Sequence, residues 1–397
     1  MVNPYFLMTL LYLFAAVLAA LDSSLISLEW LPWFNGIRWL RIHFITLGIT
    51  TQALFGALPL LVATRFKMPR PSTRWDIWTI LNVGLIILLV GIPSMIQPLI
   101  LTGGTLILTA SVLLAWQLWR MAGAGKAPLG PGVKFYVMGL AYLALGIIVG
   151  TGLWLGWSGP LRIQVPLEVH IHANNWGFLS LVFAGLMVDL TPLALGRPFA
   201  SPGTIRLIFW SMTLGALGLV LGPWLGGLLA VMVPGLILHI VATLSVLALL
   251  IRNLAAAGRL RSAGGWHLVT AYVWILLPVL VAPLVLLNIP GFVGGDIEAT
   301  APQALIYGWV LQFSIAFIPF LVQRYLLDNH NGLFGGTWLS LLAINVGSAL
   351  VWASIFILPF SQLHSGAYLF YVLRCYRFSG NWRGLCVTKW RRLRRSC

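Results

Sequence analysis

The residues best suited to chemistry in this sequence are two histidines that stand near the head of long apolar runs. His43 precedes a run that ends at Arg65, and His172 precedes one that reaches Leu190. Titratable side chains are costly inside a membrane, so those found there are candidates for function. Imidazole is also a common ligand for haem iron and for copper. His43 and His172 are therefore either metal ligands or partners in hydrogen bonds between helices.

An internal repeat relates these two histidines. Each is followed by glycines five and thirteen residues later, at Gly48 and Gly56 and at Gly177 and Gly185. A third copy has Gln303 in place of the histidine, followed by Gly308 and Ala316. We call His43, His172 and Gln303 the anchor positions; they are 129 and 131 residues apart. The spacing predicts a repeat of about 130 residues, with the anchor side chains at equivalent inward positions.

Three further polar residues flank the anchors. Arg38 and Arg41 lie within two turns of His43, where they either hold carboxylates such as haem propionates or extend to the outer headgroups. His170 is two residues from His172, which is about 200° around a helix, so the two rings should face different directions. We include His170, Arg38 and Arg41 among the candidate cofactor-binding residues.

Two other titratable residues occur inside apolar runs. Asp189 lies near the end of the run that His172 begins, where it either starts a proton path or is simply hydrated. His239 is expected to be a packed polar residue. Glycines such as Gly84 and Gly103 are expected to let neighbouring helices approach closely.

The composition is that of an integral membrane protein. The chain is 60% hydrophobic and only 8% charged, and its mean hydropathy is +0.95. Runs of about 20 apolar residues are long enough to span a bilayer as helices. We predict an all-α protein with about twelve transmembrane helices, in which the first 22 residues form a retained span rather than a signal peptide.

The basic residues indicate the topology. All but three of the 24 Lys and Arg residues lie on one side of the twelve predicted spans; the exceptions are Arg38, Arg41 and Arg162. The positive-inside rule then places both termini in the cytoplasm and the protein in the cytoplasmic membrane. Because this topology accounts for the net charge of +16, the expected partner is the lipid bilayer and not nucleic acid.

The anchors also predict the domain organisation. They fall on spans 2, 6 and 10, so the helices form three pseudo-symmetric four-helix arcs with the same orientation. Residues 1–380 are expected to form a single bundle, and residues 381–397 a basic cytoplasmic tail. The predicted repeat units are 1–75, 76–200 and 201–330, closed by 331–380. A classical secondary transporter is not favoured, because it would show inverted repeats.

With the anchors placed, the chain resembles subunit I of the haem-copper oxidases and the related NnrS-type membrane proteins. Two motifs carry the resemblance: Arg-Ile-His-Phe-Ile-Thr-Leu-Gly at 41–48, and His-Ile-His-Ala-Asn-Asn-Trp-Gly-Phe at 170–178. The resemblance implies bound haem and a redox, electron-transfer or small-gas (O2 or NO) role. It also implies a redox partner subunit or a small cytochrome. An enzyme of this kind would be a membrane oxidoreductase of the cytochrome oxidase-like class.

The departures from the family concern its metal ligands. The family has a haem-ligating histidine on span 10, where this chain has Gln303, and a histidine pair on span 7, which is absent here. Asn174 and Trp176 stand where the family has a tyrosine, four residues after the span 6 histidine. The resemblance therefore implies the fold without an intact copper site. Haem would need a rearranged ligand set, such as His43 with His172, or a single axial ligand.

Two functions follow from these observations. The first is a haem protein of the oxidase-like superfamily, which the histidines and the outer arginines favour. The alternative is a non-redox membrane permease or an assembly or scaffold protein on the same helical fold, which Gln303 favours.

Overall fold

A computed structural model describes residues 3–27, 36–124, 131–287, 289–292, 294–356 and 363–372, and every regular element in that part of the chain is a helix. Ten helices are long and apolar enough to cross a membrane, and Trp75–Gly91 is apolar but shorter. The prediction of an all-α, membrane-embedded protein is confirmed at this level.

The α-helices follow one another closely along the chain. In order they are α1 (Pro4–Ser27), α2 (Ile37–His43), α3 (Gln52–Arg65), α4 (Trp75–Gly91), α5 (Gln97–Ala124), α6 (Pro131–Leu155), α7 (Pro166–His172), α8 (Ser180–Leu195), α9 (Pro202–Trp224), α10 (Leu229–Ala256), α11 (Ala263–Leu286), α12 (Gly294–Leu305), α13 (Gln312–Tyr325) and α14 (Trp338–Phe356). Residues 363–372 are also helical. The predicted twelfth span, 364–380, is thus described only in part, and the predicted tail, 381–397, lies outside the described residues.

Three π-helical segments join some of these α-helices into longer continuous ones. They are Phe44–Thr51 between α2 and α3, Ala173–Leu179 between α7 and α8, and Ile306–Leu311 between α12 and α13. The resulting membrane-length helices, Ile37–Arg65, Pro166–Leu195 and Thr300–Tyr325, carry the three anchor positions. We call them the anchor helices.

The anchor helices are the most buried of the ten. Between 78% and 94% of the residues in their apolar windows are buried, against 39% to 61% in the other seven. A helix that is apolar all round and also buried belongs to the interior of a bundle, whereas a half-exposed apolar helix leaves a face for lipid. The anchor side chains are therefore carried by the most buried of these helices.

The chain forms two compact units. The first unit comprises Ala53–Arg259 together with Asn3–Tyr5, and the second comprises Phe6–Gln52 together with the described residues after Arg259. His170, His172, Asp189 and His239 belong to the first unit, and His43 and Arg41 belong to the second.

Glycine allows close helix contacts in the first unit, as the sequence predicted. A Cβ at Gly103 of α5 would lie 2.9 Å from the carbonyl oxygen of Gly84 in α4. A Cβ at Gly218 of α9 would lie 2.8 Å from the Cα of Gly235 in α10. These pairs let the backbones approach to distances that no larger side chain would permit, which increases dispersion contact where lipid supplies no hydrophobic driving force.

Candidate functional site

All three anchor helices change from α-helical to π-helical backbone at the anchor. The π-helical segments begin directly after His43 and His172, at Phe44 and Ala173, and three residues after Gln303, at Ile306. Such segments are rare and are frequent at functional sites. The change to π-helical backbone therefore recurs at the same three places as the sequence motif.

The glycine five residues after each anchor packs against an aromatic ring of the preceding long helix. The pairs are Gly48 with Tyr12, Gly177 with Tyr142, and Gly308 with Trp274. A Cβ at Gly48 or Gly308 would lie 2.6 Å from a ring carbon, which is closer than real Cβ contacts come. The glycines of the motif are therefore needed for packing, because each π-helical segment is fitted against a flat ring.

His172 is held by a single backbone hydrogen bond in the first unit. Its Nδ1 lies 2.6 Å from the carbonyl oxygen of Leu219 in α9. Because a carbonyl oxygen can only accept a hydrogen bond, this contact places the ring proton on Nδ1. The lone pair of Nε2 is then available to accept a hydrogen bond or to bind a metal. Among the described residues no hydrogen bond to Nε2 is present. A ring oriented in this way is the usual arrangement of a histidine that binds a metal.

His239 is a second imidazole near the same place. It is only 1% exposed in α10, and neither ring nitrogen has a hydrogen-bond partner in the described part of the chain. The ring of Trp176 is near both imidazoles, with its centroid 5.3 Å from that of His239 and 6.4 Å from that of His172. Buried polar groups are normally hydrogen-bonded, so this ring has an unused capacity for a ligand.

The prediction that His239 is a packed polar residue agrees with its burial, but the sequence did not show how its ring nitrogens are used. It lies outside the repeat motif, and an isolated histidine in an apolar run gives no sign of whether its ring is satisfied. Its unusual feature is the absence of partners, which depends on the helices around it.

His170 faces another helix from His172. Its Nδ1 lies 2.8 Å from the carbonyl oxygen of Gly146 in α6, and the Asn174 amide nitrogen is 3.3 Å from the same ring nitrogen. Asn174 also donates to the His170 carbonyl at 2.8 Å. The predicted divergence of the two rings is confirmed, and His170 is engaged in joining its helix to α6.

In the second unit, His43 contacts its own helix. Its Nδ1 lies 2.8 Å from the Trp39 carbonyl, and its ring stacks on the Trp39 ring with centroids 4.0 Å apart. As at His172, a backbone carbonyl orients the ring through Nδ1. The two histidine anchors therefore share the same tautomer preference.

The third anchor, Gln303, is part of a closed polar cluster. Arg41 donates from Nη2 to its Oε1 at 2.6 Å, and the Tyr368 hydroxyl donates to the same oxygen. The Arg41 guanidinium carbon also lies 4.3 Å from the centroid of the Tyr368 ring, a cation–π contact. Gln303 thus satisfies an arginine and a tyrosine where the other repeats carry a histidine.

The two outer arginines differ in exposure. Arg41 is 4% exposed, whereas Arg38 is exposed on the same helix. A headgroup contact is therefore wrong for Arg41, whose charge lies inside the protein, and remains open for Arg38. Within the described part of the chain no carboxylate pairs directly with Arg41, and its Nε has no hydrogen-bond partner. That nitrogen is a donor available to a carboxylate such as a propionate.

His172 has the ring orientation that an axial ligand of haem iron requires. No group of three or more His, Cys, Asp or Glu side chains is placed to hold a metal ion among the residues that the structure describes. Haem iron needs only one or two axial ligands from the protein, because the porphyrin supplies the other four. His172, with its ring oriented and its Nε2 lone pair directed away from Leu219, meets that requirement.

No protein-family model matches the chain, and no curated protein matches it. The case for a function therefore rests on the residues and their geometry.

Proposed function

We propose that this protein is an oxidase-like membrane haem protein with a redox, electron-transfer or small-gas role and without an intact copper site. The proposal includes about twelve helices in three pseudo-symmetric arcs, and a place in the cytoplasmic membrane with both termini in the cytoplasm. A redox partner subunit or a small cytochrome would exchange electrons with it.

The observation that carries the proposal is the state of His172. Placing an imidazole inside a membrane helix costs free energy, so such a side chain is by default a candidate for a functional role. Here the Leu219 carbonyl directs the proton to Nδ1, and the π-helical segment begins at the next residue. The ring is thus oriented as an axial ligand through Nε2. Haem would supply the redox or gas-binding chemistry, while the chain would orient the ligand and exclude water.

The other candidate residues take supporting roles. His43, in the second unit, is oriented in the same way by Trp39 and is a separate axial candidate there. Arg41, in the same unit, has an Nε without a hydrogen-bond partner among the described residues and is a candidate to bind a carboxylate such as a propionate. His170 is committed to Gly146, so we assign it the role of positioning the helix that bears His172.

The test is the optical spectrum of the purified full chain, oxidised and reduced, after expression with an adequate supply of haem. A Soret band is expected in the wild-type protein. It should be lost or shifted in His172→Ala and retained in the matched control His170→Ala, which removes a neighbouring histidine. A folded wild-type protein with no Soret band would overturn the proposal, and a band unchanged in His172→Ala would overturn the assignment of the ligand.

The alternative function is a non-redox permease or an assembly protein on the same fold. The specific observation that favours it is the cluster of Arg41, Gln303 and Tyr368, in which the Gln303 oxygen accepts two hydrogen bonds from within the protein. In this case the anchors serve packing, and the purified protein should be colourless.

A further inference from the structure

Asp189 is a buried carboxyl group that the haem proposal does not use. It lies in α8 and is 6% exposed. Its Oδ2 accepts a hydrogen bond of 2.8 Å from the hydroxyl of Tyr136 in α6. Its Oδ1 is buried and has no hydrogen-bond partner among the described residues. The carboxyl group is thus half satisfied inside the first unit, which is an unusual state for an acidic side chain.

The protein leaves room for this carboxyl group. It packs against Gly132, the second residue of α6, and a Cβ at that position would overlap the carboxyl atoms. Tyr136 lies one helical turn further along α6, so the same face of α6 supplies both the space and the hydroxyl. The side chain is therefore built into the contact between α6 and α8 and is not a hydrated residue at a helix end.

The surroundings supply little positive charge. Within the described residues no ion pair to Asp189 is present. Among the described residues, Arg65 at the exposed end of α3 acts on Asp189 only through space. Tyr136 is the titratable group in direct contact. An ionised carboxylate buried with a single neutral hydrogen bond is strongly disfavoured, so a cation on Oδ1 would relieve the cost.

The number of oxygen ligands at the site indicates which cation it can bind. Calcium takes six to eight oxygen ligands and magnesium takes six in near-ideal octahedral geometry. Asp189 and Tyr136 supply too few oxygens, and no larger group of ligands is present among the described residues. A proton needs only Oδ1 and no additional space.

We infer that Asp189 is a proton-binding site in which Oδ1 carries a proton at mildly acidic pH while Oδ2 accepts from Tyr136. Binding forms the Oδ1–H bond with a proton given up by hydronium, which becomes water, so the carboxylate becomes neutral and Tyr136 keeps its own proton. Asp189 lies six residues, about 9 Å, before the end of α8 at Leu195. In the proposed topology that end faces the cytoplasm, which would supply the proton. The site itself does not depend on haem.

The experiment is infrared spectroscopy of the detergent-purified full chain at mildly acidic pH. A protonated carboxyl shows a C=O stretch above the amide region, and the wild-type protein should show one that Asp189→Asn removes. Tyr136→Phe should shift this band to higher frequency, because the carbonyl-type oxygen loses its hydrogen bond. The band should also move on transfer to D2O, as the proton exchanges. Asp76→Asn, which removes the exposed carboxylate bonded to Arg74, is the matched control and should leave the band unchanged.

Two results would overturn the inference. One is a wild-type spectrum at mildly acidic pH without any carboxyl band that depends on Asp189. The other is a band that Tyr136→Phe leaves in place, since the geometry requires the hydroxyl to act on this group. Should Asp189→Asn fail to fold, Asp189→Glu retains a carboxyl group and must move the band. A haem-free preparation serves equally well, so failure of the haem proposal leaves this test intact.

Discussion

His172 and Gln303 stand at the same position of two repeats but differ in how their polar atoms are used. Both lie on interior helices, both are followed by a π-helical segment, and both are followed five residues later by a glycine that packs against an aromatic ring. The amide oxygen of Gln303 accepts hydrogen bonds from both Arg41 and Tyr368. His172 has one ring nitrogen bonded to Leu219, and no hydrogen bond to the other is present in the described part of the chain.

This comparison distinguishes the features that every repeat uses for packing from the polar anchor group, which differs between the repeats. The shared elements, a glycine and its aromatic ring, concern shape and recur in every copy. The polar group at the anchor is free to vary as long as it is satisfied, because an unsatisfied polar group in a membrane costs several kcal/mol. One copy satisfies it internally, and another leaves a nitrogen for a ligand.

The largest effect is expected from filling the shared glycine. Gly177→Ala should destabilise the protein by about 3 kcal/mol, because the new methyl group overlaps the Tyr142 ring. That ring is held in place by a 2.8 Å hydrogen bond from its hydroxyl to the Thr213 carbonyl. Gly308→Ala should cost a similar amount through Trp274. Denaturant unfolding in mixed micelles measures both.

Gly203→Ala is the control for these substitutions, since a Cβ there meets no atom within 4 Å. Its effect should stay within about 0.5 kcal/mol. If Gly177→Ala and Gly308→Ala differed widely, the shared packing of the two repeats would be refuted.

Removing the buried cation should have the next largest effect. Arg41→Met is expected to lower the free energy of unfolding by about 2–3 kcal/mol, because a charge-assisted hydrogen bond to Gln303 and the contact with Tyr368 are lost. Arg38→Met, on the same helix but exposed, should change it by less than about 0.5 kcal/mol. Equal effects of the two substitutions, measured by the same unfolding assay, would contradict the closed cluster.

Replacing the third anchor should cost somewhat less. Gln303→Leu leaves the Arg41 and Tyr368 donors without their acceptor, and we expect a loss of about 2 kcal/mol. Gln164→Leu, at an exposed position, provides the comparison and should be close to neutral. A stabilised Gln303→Leu protein would show that the glutamine is not needed by its neighbours.

The smallest expected effect has the opposite sign. In haem-free protein, His239→Leu should raise the free energy of unfolding by about 1 kcal/mol, because an unpartnered buried imidazole is replaced by an apolar side chain. The exposed His330→Leu is the control. Thermal unfolding of the two variants distinguishes the cases, and a destabilised His239→Leu protein would mean that the ring is held by bonds within the fold.

The sequence by itself determined the membrane class, the helices, the repeat and the anchor positions. These follow from hydropathy and from spacing along the chain, which are local properties. The divergence of His170 and His172 was also predictable, because two residues on one helix have a fixed angular relation.

The partners of the polar side chains were decided only by the tertiary structure. Arg41 and Gln303 are 262 residues apart, and Tyr136 and Asp189 are 53 apart. Whether a buried group is satisfied depends on which helices pack beside it and at what height, and neither periodicity nor composition carries that information. For this reason the sequence could identify His239 and Asp189 as titratable residues in apolar runs but could not show that the ring and one carboxyl oxygen lack hydrogen-bond partners among the described residues.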